Sequence, residues 1–220
     1  MRIIPNLFLD GKHAVSLYRG TENDQKKIYP KAPKSYAAHF AEQGADALFV
    51  VDLKGTERAR LPELKAAFEG ELWWAGQVRD LEALEWLFAN GADRVVLGQG
   101  AEAIFPAALE KFSPDKLLAG LQVSHYDEAP AVCERYVKMG FKDIVVKDMN
   151  AEGTLFHPNF DLIEKCRYFS GAHIYASGGI SEEHHVKLLQ DAGAAGVLIG
   201  RAFFERRLNL AGLKARFEHE

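Results

Sequence analysis

Hydrophobic runs of strand length alternate with amphipathic stretches along the whole chain. Eight runs of β-branched and other apolar residues have the length of buried strands. They cover residues 3–9, 47–53, 71–75, 94–97, 117–123, 143–147, 173–176 and 195–199. Between them, apolar residues recur every three or four positions, as on one face of a helix. The clearest such stretches are residues 35–43, 81–90, 129–139, 160–168 and 182–192. Alternating strands and helices predict a parallel sheet.

The chain length favours a closed barrel built from these units. The 220 residues allow about 27 for each of eight strand–helix units, which is sufficient for a strand, a helix and two short loops. A doubly wound open sheet would instead place a GxGxxG turn after the first strand. Residues 10–13 read Asp-Gly-Lys-His and do not match that turn. We therefore predict an α/β fold of the (β/α)8 TIM-barrel type, with residues 1–220 forming a single domain.

The two halves of the chain resemble each other in sequence. Residues 72–79 align without gaps with residues 174–181, and residues 90–98 align with residues 192–200, at the same offset of 102 positions. Asp52 and Asp148 also correspond, and a Gly-Thr pair follows each of them. The repeat predicts a barrel made of two duplicated halves.

Glycines follow the last two predicted strands, in the motifs Ser177-Gly178-Gly179 and Gly200-Arg201. Glycine lets the backbone approach a ligand closely, and the free N–H groups at the start of a helix attract a dianion. Barrel enzymes frequently bind phosphate after strands seven and eight. We interpret these residues as a phosphate site. The alternative is that the glycines only allow tight turns between strand and helix.

The repeat predicts a second phosphate site across the barrel, at Gly76, Gly98 and Gln99. A substrate with two terminal phosphates would need both sites. Gln77 occupies the place of the second glycine there, and its side chain would crowd an incoming phosphate group. From sequence, the first-half site is therefore either a functional second phosphate site or one that has lost phosphate binding.

Acid and base candidates lie at the carboxyl ends of the predicted strands, because those ends surround the mouth of a barrel. Asp10 and Asp148 are our candidates for proton transfer. Asp52 is the first-half equivalent of Asp148, and we assign it to substrate binding together with Thr154. The loop after Asp148 would bring Glu152 and the Thr154 hydroxyl over the site. The alternative for each aspartate is a helix cap or a solvated loop position.

Composition excludes several other classes of function. Lys and Arg number 27 against 31 Asp and Glu, so the net charge of −4 gives no basic surface for nucleic acid. No run of apolar residues is long enough for a membrane span, so we expect no membrane partner and a cytoplasmic location. Two distant cysteines exclude a disulfide scaffold, and the histidines and cysteines show no metal-ligand spacing. The expected partner is a small-molecule phosphate ester, with no metal.

Taken together, these motifs resemble a known family, the phosphoribosyl-formimino-AICAR-phosphate (ProFAR) isomerase of histidine biosynthesis and its sister, the imidazole-glycerol-phosphate cyclase. The resemblance runs through residues 3–5, 18–20, 51–55, 148–154, 158–159, 177–179 and 200–202. The order of a DxxxxGT loop, ASGGI and IGRA in the second half is its most specific part. The resemblance implies a duplicated half-barrel, a substrate with two phosphates, no cofactor, and an Amadori-type aldose-to-ketose rearrangement driven by two opposed aspartates.

The chain departs from the family pattern at both of those aspartates. Phe8 stands in the place of the first and Gln122 in the place of the second. Neither side chain exchanges a proton near neutral pH. Asp10, two residues after Phe8, is a displaced candidate base on the same strand face, and His125 or Asp127 is a candidate substitute for the second aspartate. The chain also lacks the long tryptophan-bearing insertion that the family has after strand five.

Three hypotheses about function follow. The leading one is an aldose–ketose isomerase acting on a phosphoribosyl-type sugar phosphate, with Asp10 and Asp148 carrying protons. The second is a paralogue that has kept phosphate binding but serves as a non-catalytic subunit, which Phe8 and Gln122 suggest. The third is a different reaction on a single-phosphate ester, which Gln77 suggests.

Overall fold

The computed structural model describes residues 1–21 and 25–218. The strands in this part of the chain are β1 (Arg2–Asp10), β2 (His13–Ser16), β3 (Lys27–Tyr29), β4 (Ala47–Asp52), β5 (Glu71–Ala75), β6 (Arg94–Gly98), β7 (Leu117–Val123), β8 (Asp143–Asp148), β9 (His173–Ser177) and β10 (Gly196–Ile199). All of them except β2 and β3 pair in parallel, in the order β1-β4-β5-β6-β7-β8-β9-β10. β10 pairs again with β1, which closes the sheet. The predicted (β/α)8 barrel is therefore confirmed.

Helices follow the barrel strands along the chain. They are α1 (Pro33–Glu42), α2 (Leu61–Ala67), α3 (Leu81–Ala89), α4 (Phe105–Lys111), α5 (Ala129–Met139), α6 (Phe160–Ser170), α7 (Glu183–Asp191), α8 (Arg201–Phe204) and α9 (Leu210–Phe217). The eight predicted strands and five predicted helices are all present, with ends within two residues of the predicted ones. Within the described ranges, no helix is both long and apolar enough to cross a membrane.

Side-chain alternation divides each barrel strand between two layers. One face of the strands packs against the helices, and the other faces the barrel axis. The buried axis-facing cluster consists of Ile4, Ala47, Phe49, Trp73, Ala75, Val96, Leu118, Val145, Tyr175 and Leu198. Residues an even number of positions apart share a face, so Phe8, Gln122 and Lys147 point to the axis above Ile4, Leu118 and Val145 of this cluster.

Paired charges close the barrel at the amino ends of the strands. Arg94 and Asp143 form an ion pair in which each side chain is 11% exposed, and His173 Nδ1 lies 3.0 Å from the same carboxylate. Beside them, Arg2 pairs with Glu71 at 3.0 Å. The Arg94 guanidinium also lies 4.7 Å from the ring centre of the Trp73 indole, which stabilises the buried cation.

An antiparallel hairpin follows β1, and the sequence patterns did not predict it. β2 pairs with the last residues of β1, and β3 pairs with β2. Tyr29 in β3 stacks on Phe204 in α8 with ring centres 4.3 Å apart, and Tyr36 in α1 meets Phe204 edge-on at 4.8 Å. These aromatic contacts attach the hairpin to the last barrel unit.

The two halves of the barrel share their strand-to-helix turns. Gly76 after β5 and Gly178 after β9 have φ angles of +107° and +112°. A Cβ at Gly76 would lie 1.9 Å from the Asp52 carbonyl oxygen, and one at Gly178 would lie 2.7 Å from that of Asp148. Gly76 and Gly178 thus pack closely against the backbone of the equivalent residues Asp52 and Asp148, in agreement with the predicted half-barrel duplication.

Candidate active site at the mouth of the barrel

A cavity of about 300 Å³ opens at the carboxyl ends of the strands. Its floor is apolar and includes Phe49, Val96 and Val145, whereas its rim carries glycines and polar groups. Among the described residues that line it, the ionisable side chains are Asp52, Arg79 and Lys147. Both Asp52 oxygens are occupied by backbone N–H groups, so the groups left to meet a ligand are cationic. The cavity is suited to a small anion.

Phe8 and Gln122 both line this cavity. The Phe8 side chain is 4% exposed and faces the axis at the end of β1. The backbone N–H of Gln122 donates to the Gln99 side-chain oxygen at 3.0 Å. The two positions at which the sequence departs from the ProFAR isomerase pattern thus lie in the mouth, and neither side chain there transfers protons.

Lys147 introduces a cation next to Phe8. It is the second last residue of β8, and its Nζ lies 4.3 Å from the ring centre of Phe8. The same Nζ lies 3.8 Å from Glu152 Oε2, and the two side chains are 14% and 10% exposed. Glu152 Oε2 has no hydrogen-bond partner within the described structure, and neither has Asn6 Oδ1. Lys147 and Glu152 therefore form a buried polar pair with unused hydrogen-bonding capacity, and Asn6 lines the cavity with Lys147 and the gap with Glu152.

Asp148 faces away from the barrel axis. Its Oδ1 accepts hydrogen bonds from the backbone N–H groups of Asn150 at 2.9 Å and Ala151 at 3.3 Å, and the Tyr126 hydroxyl donates to it at 3.2 Å. Asp52 has the equivalent position and accepts from the N–H groups of Gly55 and Glu57. Both carboxylates hold the loop that follows their own strand.

Asp10 lies at the hairpin, where Lys26 and Lys54 pair with its carboxylate. The hydrogen bonds from Lys26 and then Lys54 lower the pKa of Asp10 below its usual value. Such a carboxylate is a weaker base. The cavity is lined by neither Asp10 nor Asp148 in the described structure, so their assignment as an acid–base pair stays a prediction.

One gap of about 20 Å³ is lined by Ser177, Gly178, Gly179, Gly200 and Arg201, the residues interpreted from sequence as a phosphate site. This volume holds about one water molecule, so a phosphate group would have to displace part of the lining. Arg201 crosses it, donating to the Gly153 carbonyl oxygen and pairing with Glu205 at 2.7 Å. The Thr154 hydroxyl donates to the Ala151 carbonyl oxygen at 2.8 Å and serves the loop.

The equivalent turn in the first half is open. Gly76, Gly98, Gln99 and Arg79 all line the 300 Å³ cavity. A Cβ at Gly98 would meet nothing within 4 Å. Gln77 adopts a φ of +52°, and its side-chain oxygen accepts a hydrogen bond from Arg79 at 2.8 Å. The first-half turn, where Gln77 replaces the second glycine, thus has more room for a ligand than the second-half turn, which has both Gly178 and Gly179.

Sequence reasoning missed Lys147, Asn6 and Arg79, and it expected the loop after Asp148 to bring Glu152 over the site without assigning Glu152 a chemical role. A signal for Lys147 was present, because Val145 and Lys147 share a strand face and a charged residue facing the axis is unusual in a barrel core. His125 and Asp127, the other candidates for a proton carrier, are exposed in the connection between β7 and α5. In the described ranges, no three His, Cys, Asp or Glu side chains are grouped for metal binding.

Comparisons with known proteins identify relatives along the full length of the chain. The family model described as "Histidine biosynthesis protein" matches residues 2–209. An imidazole-4-carboxamide isomerase whose name specifies two 5-phosphoribosyl groups, from Caldanaerobacter subterraneus, is 31% identical over 100% of this chain and 99% of its own length. Isomerases of the same name from Roseiflexus castenholzii and Alkaliphilus metalliredigens are 30% identical, covering 99% and 97% of this chain and 100% and 98% of their own lengths.

Proposed function

Because this chain belongs to the histidine biosynthesis protein family, we propose that it binds a phosphoribosyl-type sugar phosphate in the barrel mouth and converts an aldose form into a ketose form. The observation that carries this proposal is the 300 Å³ cavity with Arg79 and Lys147 on its walls. Two cationic side chains and exposed glycine backbone around an apolar floor match a ligand that has a phosphate at one end and carbons at the other.

The phosphate group binds at the open first-half turn. Gly98 leaves room for it, and Arg79 supplies charge-assisted hydrogen bonds. The carbons of the sugar then extend across the mouth toward Lys147, since β5 and β8 are three strands apart in the ring.

An aldose-to-ketose rearrangement moves a proton between neighbouring carbons, so it needs groups that accept and donate protons. Positions 8 and 122 provide none. Lys147 lines the cavity, and Glu152, whose Oε2 is 3.8 Å from Lys147 Nζ, lines the gap beside Gly178 and Gly200, so we take these two side chains as the proton carriers. We assign them the roles that two aspartates have in the ProFAR isomerase pattern.

One observation favours a second candidate, a reaction on an ester with a single phosphate. The cavity beside Gly76 and Gly98 is open, whereas the gap beside Gly178 and Gly200 has only about 20 Å³. Competition separates the candidates. A bisphosphate that displaces a bound monophosphate more strongly than other monophosphates do supports the family substrate, and equal or weaker displacement supports the single-phosphate ester.

The test of the proposed reaction is an assay of purified protein with ribose 5-phosphate, an aldose whose open-chain form has a free carbonyl group, and separately with a phosphoribosyl aminoaldose, following formation of the ketose or of the aminoketose. We expect turnover in the wild type and its loss in Lys147→Met and Glu152→Gln. Lys138→Met is the matched control, because Lys138 is 71% exposed and, among residues 1–21 and 25–218, its ion-pair partner is its helix neighbour Glu134.

Asp10→Asn and Asp148→Asn, assayed in parallel, test the assignment made from sequence. Turnover that depends on these two aspartates and survives in Lys147→Met would overturn our assignment of proton carriers. Absence of turnover, with sugar phosphates still raising the melting temperature, would overturn the isomerase and leave the non-catalytic subunit.

A further inference from the structure

We infer that Lys147 is a nucleophile that forms a covalent imine with the carbonyl carbon of the substrate, with Glu152 as its proton-transfer partner. This inference rests on the proposed function for the class of substrate, a carbonyl-bearing sugar phosphate. The proposed function requires only that Lys147 and Glu152 move protons. The surroundings of Lys147 assign it this further role.

Lys147 is placed as a nucleophile needs to be. Its backbone belongs to a barrel strand, which fixes its position, and its side chain lines the cavity while being only 14% exposed. The apolar Phe8 ring covers it on one side. Lysines that attack carbonyl groups are activated by this kind of desolvation in an apolar pocket.

The hydrogen-bonding state of the group also favours reactivity. Glu152 Oε2 is 3.8 Å from Nζ, beyond hydrogen-bond distance, and it has no other partner in the described structure. A structural ion pair would satisfy its buried oxygen. Asn6, whose Oδ1 has no partner among the residues that the structure describes, lines the cavity and the gap next to Gly200 and can accept a hydrogen bond from a substrate hydroxyl.

The chemical step balances without any further reagent. Lys147 passes a proton to Glu152, which leaves a neutral amine and a neutral carboxyl. The nitrogen lone pair attacks the carbonyl carbon, a C–N bond forms, and the C=O pair moves to oxygen, which gains a proton as nitrogen loses one. Glu152 then protonates the hydroxyl, water leaves, and the nitrogen lone pair forms the C=N bond.

The product is an iminium cation beside an ionised Glu152, which has the same net charge as the starting ion pair. No electrons are exchanged. The Phe8 ring faces a cation before and after the step, so it stabilises both. The iminium withdraws electrons from the neighbouring carbon, and this is the carbon that must lose a proton in an aldose-to-ketose rearrangement.

Borohydride trapping tests this inference, because reduction converts an imine into a stable secondary amine. The full-length protein is incubated with ribose 5-phosphate or with glycolaldehyde, reduced, and measured by intact mass and peptide mapping. We expect one adduct per chain, located on Lys147. Lys147→Met and Lys147→Arg should lose it, and Glu152→Gln should form it more slowly at the same residue. Lys138→Arg should trap as the wild type does.

The two variants at position 147 guard against misfolding, since Met keeps the length of the side chain and Arg keeps its charge. An adduct that survives in both, or that lies on exposed lysines with Lys147 unmodified, would overturn the inference. Glycolaldehyde has no phosphate, so it separates this failure from failure of the proposed function. If glycolaldehyde labels Lys147 but ribose 5-phosphate does not bind, only the proposed function is rejected. If ribose 5-phosphate binds but neither probe labels Lys147, only the inference that Lys147 is a nucleophile is rejected.

Discussion

Side chains alternate along a barrel strand, so neighbouring residues have different roles. One faces the cavity, and the next faces outward and contacts the surrounding loops and helices. In β8, Val145 and Lys147 face the barrel axis, so Asp148 faces outward and binds its own loop. A shift of one residue exchanges the two roles. The position of an aspartate at the end of a strand is therefore visible in the sequence, but the direction of its side chain depends on the strand register.

We expect Asp148→Ala to act mainly on stability. The change removes the acceptor for two backbone N–H groups and the Tyr126 hydroxyl, and leaving buried donors unpaired costs about 1–3 kcal/mol. Urea denaturation measures the loss in the free energy of unfolding. Tyr126→Phe removes one of these hydrogen bonds and should cost less, about 0.5–1.5 kcal/mol. An unfolding free energy that stays at the wild-type value in Asp148→Ala would contradict the assigned role.

At the scale of elements, glycine has two different roles in the strand-to-helix turns. One glycine allows the backbone conformation of the turn, and another keeps the cavity free of a side chain. Gly76 is required by its backbone, because its φ of +107° and the Asp52 carbonyl oxygen, 1.9 Å from a Cβ at this position, leave no place for a side chain. Gly98 has an ordinary φ of −76° and free space around it. Its lack of a side chain serves the cavity instead.

Alanine at these two glycines should separate folding from binding. Gly76→Ala is expected to lower the free energy of unfolding by about 1–3 kcal/mol through backbone strain, with a clash in addition. Gly98→Ala should change it by less than about 0.5 kcal/mol but weaken binding of ribose 5-phosphate, since its methyl group enters the cavity. Thermal denaturation and calorimetric titration measure the two effects. Equal losses of stability in both variants would contradict this division.

The elements that the sequence predicted are those with a long, regular pattern. The barrel strands and the helices α1, α3, α5, α6 and α7 were all found from hydrophobic spacing. α2 and α4 have seven residues each and follow 3₁₀ turns, which is too short for a helical period to emerge. The β2–β3 hairpin depends on distant aromatic contacts, such as that of Tyr29 with Phe204, which local patterns do not contain.

For the candidate site, the sequence indicated the right end of the barrel and the glycine turns. It did not indicate which turn is open, because that depends on whether Arg201 and the loop around Gly153 fill the space. The cluster of Lys147 with Glu152 and Asn6 joins residues from β1, β8 and a loop. Only closure of the sheet brings these together.

At the scale of the whole molecule, the two ends of the barrel have opposite electrostatic designs. The amino end of the strands is sealed by charges that have partners, Arg94 with Asp143 and Arg2 with Glu71. The carboxyl end leaves Glu152 Oε2 and Asn6 Oδ1 without hydrogen bonds in the described structure and opens a cavity. A folded barrel tolerates unsatisfied groups at one end when the other end contributes stability, and this division is usual for barrel enzymes.

This division predicts that Arg94→Met destabilises the fold without touching ligand binding. The change leaves the Asp143 carboxylate, 11% exposed, without its main partner, and breaking a buried ion pair in this way costs about 3–5 kcal/mol. Urea denaturation should show this loss, and the double variant Arg94→Met with Asp143→Leu should recover most of it, since two apolar residues leave no buried charge behind. Calorimetric titration of either variant with ribose 5-phosphate, at a temperature where it is folded, should give the wild-type affinity. A loss of affinity in Arg94→Met that the double variant does not recover would show that the amino end of the barrel takes part in binding.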